Sequence, residues 1–380
     1  MSGTAANPAL SSVQRFHALD GMRGIAAIVV MLYHYVGASQ SRLFMNSYIA
    51  VDLFFILSGF VIYHAYATAI LGGMPAGVFA NKRISRLAPT VAGGVVLGAI
   101  AALIVMLETG RDFSPLDFAL THMGHFAFVP ALSDYQIPAS DSLILFPSNP
   151  PLWSIFYELV ASLAFIWIAR IPRWRLVGAA LAAFSLYLFC CLALSRMTGT
   201  ALTANVGWNH ATFFFGFPRV FSGFLMGIII YRLLRRLDDW IETHLPRLAG
   251  PLPTLGLFAA TLCVLMCPFY AKGVYQFVAI GMLCPLLILV GARVTPGRSW
   301  LTAVCDGLGT LSFPLYCVHE PVRHMTNILL KRIGLPDSAL GLRVTITVIL
   351  AFLASGMLLW LLGQLRARHR LSSGLKPFLG

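Results

Sequence analysis

The chain has 380 residues, of which 58% are hydrophobic and only 11% are charged, and its formal net charge is +13. Soluble domains carry about 25% charged residues, so this composition excludes a water-soluble globule and predicts a polytopic membrane protein. The basic residues lie in short clusters between apolar runs, which is the positive-inside pattern and argues against a nucleic-acid partner.

Ten apolar runs are long enough, at about 20 residues each, to cross a bilayer. We therefore predict an all-α fold of about ten transmembrane helices, at residues 21–38, 48–70, 88–107, 152–169, 176–195, 213–231, 254–271, 274–292, 311–330 and 344–363. Placing both termini in the cytoplasm puts most of the basic linker residues on the inner side, as the positive-inside rule requires.

These spans divide the chain into three parts. Residues 1–14 are a polar tail without the pattern of a cleaved signal peptide, residues 15–365 hold the transmembrane domain, and residues 366–380 form a basic cytoplasmic tail. The longest linker, 108–151, lies on the outer side and contains aromatic residues, prolines and two histidines. Linkers of this length are usually functional or disordered, and this composition favours an ordered cap over the membrane face.

Ionisable residues inside spans are candidates for function because burying them in hydrocarbon is costly. The first span, within "RFHALDGMRGIAAIVVMLYHY" (15–35), carries Arg23 and His34. Their spacing puts them about 16 Å apart along a helix and on the same face. An interfacial anchor is the simpler explanation for Arg23, and a packed polar group for His34, but the shared face favours one common site.

Two further sets of polar residues lie in the second span and next to the third. "VDLFFILSGF" (51–60) contains Asp52, which is explained by a role as interfacial cap or anchor, and Ser58, which is better explained by packing than as a nucleophile. Arg83 and Arg86 lie in the linker just before the third span, one turn apart if this segment is helical. Two guanidinium groups so placed clamp a phosphate through forked hydrogen bonds, although ordinary positive-inside charge also explains them.

The fourth span, in "NPPLWSIFYELVASL" (149–163), carries Glu158 with Trp153 one turn earlier. A glutamate at this depth requires a partner, and Arg219 lies at a similar depth in the sixth span. A structural ion pair between Glu158 and Arg219 and a catalytic role for Glu158 both remain open.

The ninth span, with "LSFPLYCVHEPV" (311–322), places His319 and Glu320 in mid-membrane before Pro321. A second buried histidine favours a site that handles protons or orients a substrate. His64 is a weaker candidate of the same kind. The seven cysteines form no CxxC pair, and no histidine spacing supplies three ligands, so we expect reduced thiols and no metal.

These segments together resemble the membrane acyltransferase-3 family. "LDGMRGIAAIVVMLYH" is similar to its arginine and histidine separated by ten residues, "VDLFFILSGFVI" to its second-helix motif, "RISR" to its paired arginines and "LWSIFYEL" to its tryptophan–serine–glutamate helix. "PRVFSGFLMG" and "LSFPLYCVHEPV" resemble its later motifs, and the likeness covers about residues 15–365. The acidic motif departs from the commoner "WSLSVEE". No periplasmic esterase-like domain follows the last span, which implies direct transfer by the membrane domain.

The resemblance implies a multi-pass enzyme of the bacterial inner membrane. It would move an acyl group, most often acetyl, from cytoplasmic acyl-CoA to a hydroxyl of a carbohydrate or lipid-linked glycan, without a metal; a homodimer stays open. It implies catalytic roles for Arg23, His34 and Glu158 and donor binding by Arg83 and Arg86. The supporting residues would be Asp52, Ser58, Trp153, Arg219 and His319.

In this interpretation, Arg83 and Arg86 hold the donor phosphates while its thin arm extends between helices toward His34. A neutral imidazole there acts as a general base on the acceptor hydroxyl or takes the acyl group itself. We favour the general base, and the covalent alternative stays open. Arg23 binds the CoA phosphates or orients the thioester carbonyl, and the linker 108–151 selects the acceptor.

Two other classes of function compete with this one. A transporter or flippase of a glycan or acyl-bearing substrate would use Arg23, His34, Glu158 and His319 as a relay, but it predicts inverted repeats and broken helices, and the sequence shows no such symmetry. A scaffold or sensor without chemistry leaves the buried charges unexplained.

Overall fold

The computed structural model of the chain describes residues 15–37, 41–110, 114–131, 143–237, 248–268 and 272–372. Its main elements are α1 (His17–Val36), α2 (Ile49–Leu71), α3 (Ala76–Thr109), α4 (Pro115–Phe126), α5 (Leu152–Ile168), α6 (Arg173–Thr198), α7 (Gly216–Arg236), α8 (Pro251–Leu265), α9 (Lys272–Val278), α10 (Cys284–Gly291), α11 (Ser299–Arg332) and α12 (Leu340–Ser372). A π-helical turn, Ala279–Leu283, joins α9 to α10. The strands β1 (Leu248–Ala249) and β2 (Val294–Thr295) pair in parallel.

The all-α polytopic prediction is confirmed. Within the described residues, eight helices are long and apolar enough to cross a membrane, and α5 and α8 are shorter apolar helices. Each of the ten predicted spans coincides with a helical segment. The largest difference is length, since α3 and α11 each contain 34 residues, more than the about 20 that a bilayer requires.

The extra length gathers basic residues at one end of the bundle. Because α3 begins at Ala76, Arg83 and Arg86 lie on its first turns rather than in a linker. α12 runs past the predicted end of its span at residue 363, so Arg366 is helical as well. We call this end of the bundle, where α1 begins and where Arg83, Arg86 and Arg366 lie, the arginine end.

Small residues allow the central helices to approach closely. A Cβ atom on Gly59 of α2 would lie 2.0 Å from the carbonyl oxygen of Phe224, and one on Gly227 of α7 would lie 1.9 Å from that of Ile56. Any larger residue at either position would force α2 and α7 apart. In a bilayer, helix association depends on this close packing because the lipid supplies no hydrophobic driving force.

The linker 108–151 is ordered where the structure describes it, while residues 111–113 and 132–142 lie outside the described residues. Ser114 caps α4 by accepting a hydrogen bond from the backbone N–H of Asp117. The linker's two histidines, His122 and His125, are buried, and burial lowers the pKa of His125 to about 3. His122 lies 2.6 Å from the hydroxyl of Ser148. Both histidines therefore serve the packing of α4 at the end opposite the arginine end.

Pro321 shapes α11 at the centre of the bundle. Proline has no N–H, so the carbonyl four residues earlier, that of Cys317, loses its helical partner. Asn149, just before α5, donates its Nδ2 to this carbonyl at 2.7 Å. Because Pro321 leaves this carbonyl free, Asn149 can link the start of α5 to α11, within one turn of His319 and Glu320.

Candidate functional site

A cavity of about 660 Å³ opens at the arginine end, between α1, α2, α3, α5 and α11. Two carboxylates, those of Asp20 and Glu158, reach it from the part of the chain that the structure describes. The arginines that line it outnumber them: Arg15, Arg23, Arg83, Arg86 and Arg366. A cavity with this excess of guanidinium groups suits an anionic ligand, because each group offers several donors and a permanent charge.

Arg23 joins α1 to α11 at the cavity wall. Its Nη2 donates to the carbonyl of Gly309 at 2.8 Å, and its Nε donates to the hydroxyl of Ser312 at 3.0 Å. Asp20 lies 3.3 Å away, and 29% of the arginine side chain is exposed. Arg23 thus belongs to α1, is hydrogen-bonded to α11 and faces the cavity. A simple interfacial anchor would not have these fixed partners.

Arg83 and Arg86 line the same cavity at different depths. Arg83 is 4% exposed and its Nη2 lies 3.5 Å from Oε1 of Glu158, whereas Arg86 is exposed. The Nε of Arg83 is buried and has no hydrogen-bond partner among the described residues. A buried donor without a partner is costly, so the contact with Glu158 leaves the guanidinium of Arg83 incompletely satisfied.

The expected pair between Glu158 and Arg219 is wrong. Glu158 instead accepts a hydrogen bond from the hydroxyl of Ser58 at 2.8 Å and pairs with Arg83. Similar depth along two separate helices does not bring their side chains together. Here α5 presents Glu158 to the cavity between α2 and α3, while α7 packs on the other side of α2. Ser58 therefore has a polar partner and does not only fill space.

Arg219 pairs with Asp52. Its Nε and Nη2 donate to the two oxygens of Asp52 at 2.9 and 2.7 Å, and Nη1 donates to the carbonyl of Val206 at 2.8 Å. The guanidinium also lies 5.2 Å from the ring centre of Trp153. Asp52 is consequently not an interfacial anchor but a buried partner, because the close contact of α2 with α7 faces it toward Arg219.

A second polar cluster lies farther along α1 and α11. Nδ1 of His34 is 3.2 Å from Nε2 of His319 and 2.9 Å from the carbonyl oxygen of Val30. Glu320 places Oε1 at 4.0 Å from the same nitrogen of His34, and its Oε2 accepts two hydrogen bonds from Arg323, at 2.8 and 3.0 Å. We call His34, His319 and Glu320 the histidine cluster.

The histidine cluster also has the donor atoms of a metal site. The three ligand atoms lie within 4.8 Å of one another, and two imidazoles with a carboxylate form a common open zinc set. Arg323 already balances the charge of Glu320, however, and Nδ1 of His34 is occupied by a main-chain carbonyl. Hydrogen bonds account for this arrangement without an ion, and the expectation that no metal takes part stays a prediction.

Two aromatic rings lie between the cavity and the histidine cluster. Phe54 lines the cavity, and its ring centre is 5.8 Å from that of Tyr316, which in turn is 5.7 Å from that of His319. The hydroxyl of Tyr316 is held by Ser154 at 2.7 Å. Arg23 and His34 thus both contact α11, but on the two sides of this aromatic partition.

Sequence reasoning missed several residues of these two sites. Asp20 lies on α1 about one turn before Arg23, and Arg15 lies just before α1, about two turns before Arg23. This spacing is the signal that the sequence offers. The basic cluster with Arg366 was assigned to orientation alone. Arg323 and His324 follow Glu320 by three and four residues, the spacing at which helical side chains meet.

The fold and the sites define a class: a polytopic helical membrane protein with a cationic cavity at one end and a buried histidine pair on the same two helices. The profile of the acyltransferase-3 family, described as "Acyltransferase domain", matches residues 16–362. The chain therefore belongs to this family and is a membrane acyltransferase, which confirms the resemblance.

One relative is similar to part of the chain. "Protein 2 in picA locus" from Rhizobium radiobacter is 35% identical over 170 residues, which cover 42% of this chain and 86% of that protein. No solved structure matches the chain.

Proposed function

We propose that the protein moves a short acyl group, most often acetyl, from acyl-CoA to a hydroxyl of a carbohydrate or lipid-linked glycan. The observation that carries the proposal is the placing of two sites on one helix pair. α1 and α11 hold Arg23 in the cationic cavity and His34 in the histidine cluster. Acyl-CoA has a matching shape, with anionic phosphates at one end and a thioester at the end of a thin arm.

The proposal orients the protein with the arginine end in the cytoplasm and both termini inside. The support is the positive-inside rule, since the basic linkers lie at this end, and the supply of acyl-CoA is cytoplasmic. The acceptor then approaches from the opposite face, where the linker 108–151 and α4 lie. The bacterial inner membrane is the bilayer that fits this arrangement.

The donor phosphates are held by Arg83 and Arg86. Forked hydrogen bonds from guanidinium groups match phosphate oxygens, and Arg83 and Arg86 both line the cavity. Glu158 keeps Arg83 and Ser58 in place beside the cavity. Arg23, fixed to α11, binds a further phosphate or orients the thioester carbonyl. For the thioester to reach His34, its arm must displace Phe54 or Tyr316.

The transfer step uses His34 as a general base. The imidazole takes the proton of the acceptor hydroxyl, the oxygen attacks the thioester carbonyl, and the carbon–sulfur bond breaks. The leaving thiolate then takes the proton from the imidazolium of His34 and departs as the CoA thiol. A covalent acyl-histidine would divide the same exchange into two steps. We favour the general base because His34 has its partner His319 already in hydrogen-bond contact.

Replacing His34 with alanine tests this proposal. Membranes with His34→Ala should transfer the label from [acetyl-¹⁴C]acetyl-CoA to glycan or glycolipid about 10²- to 10⁴-fold more slowly than wild type, the usual contribution of a positioned base. Binding of CoA should be unchanged, since His34 does not line the cavity. Tyr33→Phe is the matched control: it alters the neighbouring side chain, whose ring packs edge-on against His34, and should stay near wild type.

Two results would count against the proposal. Near-normal transfer by His34→Ala, in protein that inserts as well as wild type, would show that His34 is not the general base. A wild-type protein that moves an acylated glycan across the membrane but transfers no label would instead favour a transporter.

A further inference from the structure

We infer that His319 is a positioning residue that acts together with the carbonyl oxygen of Val30 to set the tautomer of His34, so that Nε2 of His34 is the nitrogen that takes the acceptor's proton. The inference rests on the proposed function of His34 and adds to it which ring nitrogen reacts and what selects it. It follows from the direction of three hydrogen bonds in the histidine cluster.

The first hydrogen bond sets the tautomer of His319. Its Nδ1 lies 3.1 Å from the carbonyl oxygen of Leu315, and a carbonyl can only accept. Nδ1 of His319 therefore carries a hydrogen. In the neutral ring this leaves Nε2 of His319 as an acceptor, and that nitrogen is the one that faces His34.

The other two hydrogen bonds set the tautomer of His34. Its Nδ1 faces two acceptors, the carbonyl oxygen of Val30 at 2.9 Å and Nε2 of His319 at 3.2 Å. A lone pair on Nδ1 would face two further lone pairs, so Nδ1 carries the hydrogen and shares it between them. Nε2 of His34 is then the basic nitrogen.

Nε2 of His34 is also the nitrogen left for substrate. In the part of the chain that the structure describes, no protein group forms a hydrogen bond with it, and 29% of the His34 side chain is exposed. His319 is 1% exposed and both of its ring nitrogens are bonded. His34 is therefore the accessible ring, and its basic nitrogen Nε2 has no protein partner among the described residues. His319 is the buried ring, and it keeps His34 in this orientation.

Protonation of His34 strengthens its contact with His319. When His34 takes a proton, its Nδ1–H bond to His319 becomes charge-assisted and strengthens. Glu320 lies 4.0 Å from this nitrogen. In the described part of the chain, the other titratable groups around the cluster are Tyr33 and Tyr35 of α1, and Tyr316, Arg323 and His324 of α11. Arg323 opposes a positive charge on His34, and Glu320 favours it. His319 thus contributes in the transition state more than in substrate binding, so its loss should lower kcat.

Two substitutions of similar shape separate positioning from packing. His319→Gln can place an amide oxygen near the position of Nε2 and still accept from His34, whereas His319→Met fills the space and accepts almost nothing. We expect His319→Met to lower kcat by about 10- to 100-fold, as for the loss of a hydrogen bond to a charged group, with KM for acetyl-CoA within about twofold. His319→Gln should recover most of the lost kcat.

Three outcomes decide the inference. Parallel losses in the Gln and Met variants would show a packing role and overturn it. A kcat of His319→Met within about threefold of wild type, while His34→Ala is inactive, would also overturn it and leave the proposed function intact. Normal transfer by His34→Ala would overturn the proposed function itself, and with it the assignment of Nε2.

Discussion

The core contains two arginine–carboxylate pairs that differ in how completely they are bonded. Arg219 and Asp52 are 0% and 1% exposed, and every guanidinium nitrogen of Arg219 donates a hydrogen bond to Asp52 or to Val206. Arg83 and Glu158 are 4% and 24% exposed, their closest atoms are 3.5 Å apart, and Nε of Arg83 has no partner within the described chain. All guanidinium nitrogens of Arg219 therefore have hydrogen-bond partners, whereas at least one nitrogen of Arg83 has none among the described residues. We call the first pair complete and the second incomplete.

This difference indicates that one pair stabilises the fold and that the other is a candidate for ligand binding. A buried ion pair is tolerated only when its geometry is good and the remaining donors are satisfied, because the loss of hydration is large. The pair of Arg219 meets this condition and joins α2 to α7. The pair of Arg83 does not: it lines a cavity, and one of its donors has no partner among the described residues.

The largest effect should come from breaking the complete pair. Asp52→Ala leaves the charge of Arg219 buried without a partner, which costs about 3–5 kcal/mol when a buried pair loses one member. We expect a large loss of folded protein and a lowered thermal unfolding midpoint in detergent. Tryptophan fluorescence during heating would measure it, since Trp153 lies against Arg219.

Glu158→Ala is the matched change in the incomplete pair. Because Glu158 is 24% exposed while Arg83 is 4% exposed, we expect a loss of stability that is measurable but smaller than that of Asp52→Ala. Equal destabilisation by Asp52→Ala and Glu158→Ala would contradict the division into an architectural and a binding pair.

The second effect concerns ligand binding by the incomplete pair. Arg83→Ala should weaken binding of CoA by about 10- to 100-fold, since a hydrogen bond to a charged group contributes about 1.5–3 kcal/mol, while the unfolding midpoint changes little. Arg83→Lys should restore only part of the affinity because it loses the fork of donors. Isothermal titration with CoA in detergent measures both.

Lys82→Ala is the control for charge alone. Lys82 is exposed, neighbours Arg83 in sequence and is not among the residues that line the cavity. We expect it to bind CoA as wild type does. If Lys82→Ala and Arg83→Ala weakened binding equally, the effect would belong to the general positive charge of this face and not to Arg83.

These pairs also show which parts of the molecule could be predicted from sequence. Apolar length and the positions of charged residues located all ten helical segments, because both are properties of single segments. The partner of Glu158 could not be found this way. It depends on which faces of α2, α3 and α7 meet, and that is decided by close contacts such as those at Gly59 and Gly227.

The histidine cluster illustrates the same limit. The sequence marked His34 and His319 as separate buried histidines, each inside its own span. Their 3.2 Å contact requires that α1 and α11, which are far apart in sequence, pack side by side. The role of Arg366 was missed for a different reason: α12 stays helical beyond its apolar run, so hydropathy alone ended the helix too early.

The smallest effect should come from Arg86, which is exposed where Arg83 is buried. Exposed ion pairs contribute about 0.2–1 kcal/mol, so Arg86→Ala should weaken CoA binding by about two- to fivefold. Salt should separate the two arginines further, because exposed charges are screened and buried ones much less. Titrations in about 0.05 M and about 0.5 M NaCl should show that the effect of Arg86→Ala disappears at high salt while that of Arg83→Ala persists. An equal salt dependence of the two variants would mean that both guanidinium groups bind CoA in a solvent-exposed position. The deeper burial of Arg83 would then not affect binding of the donor.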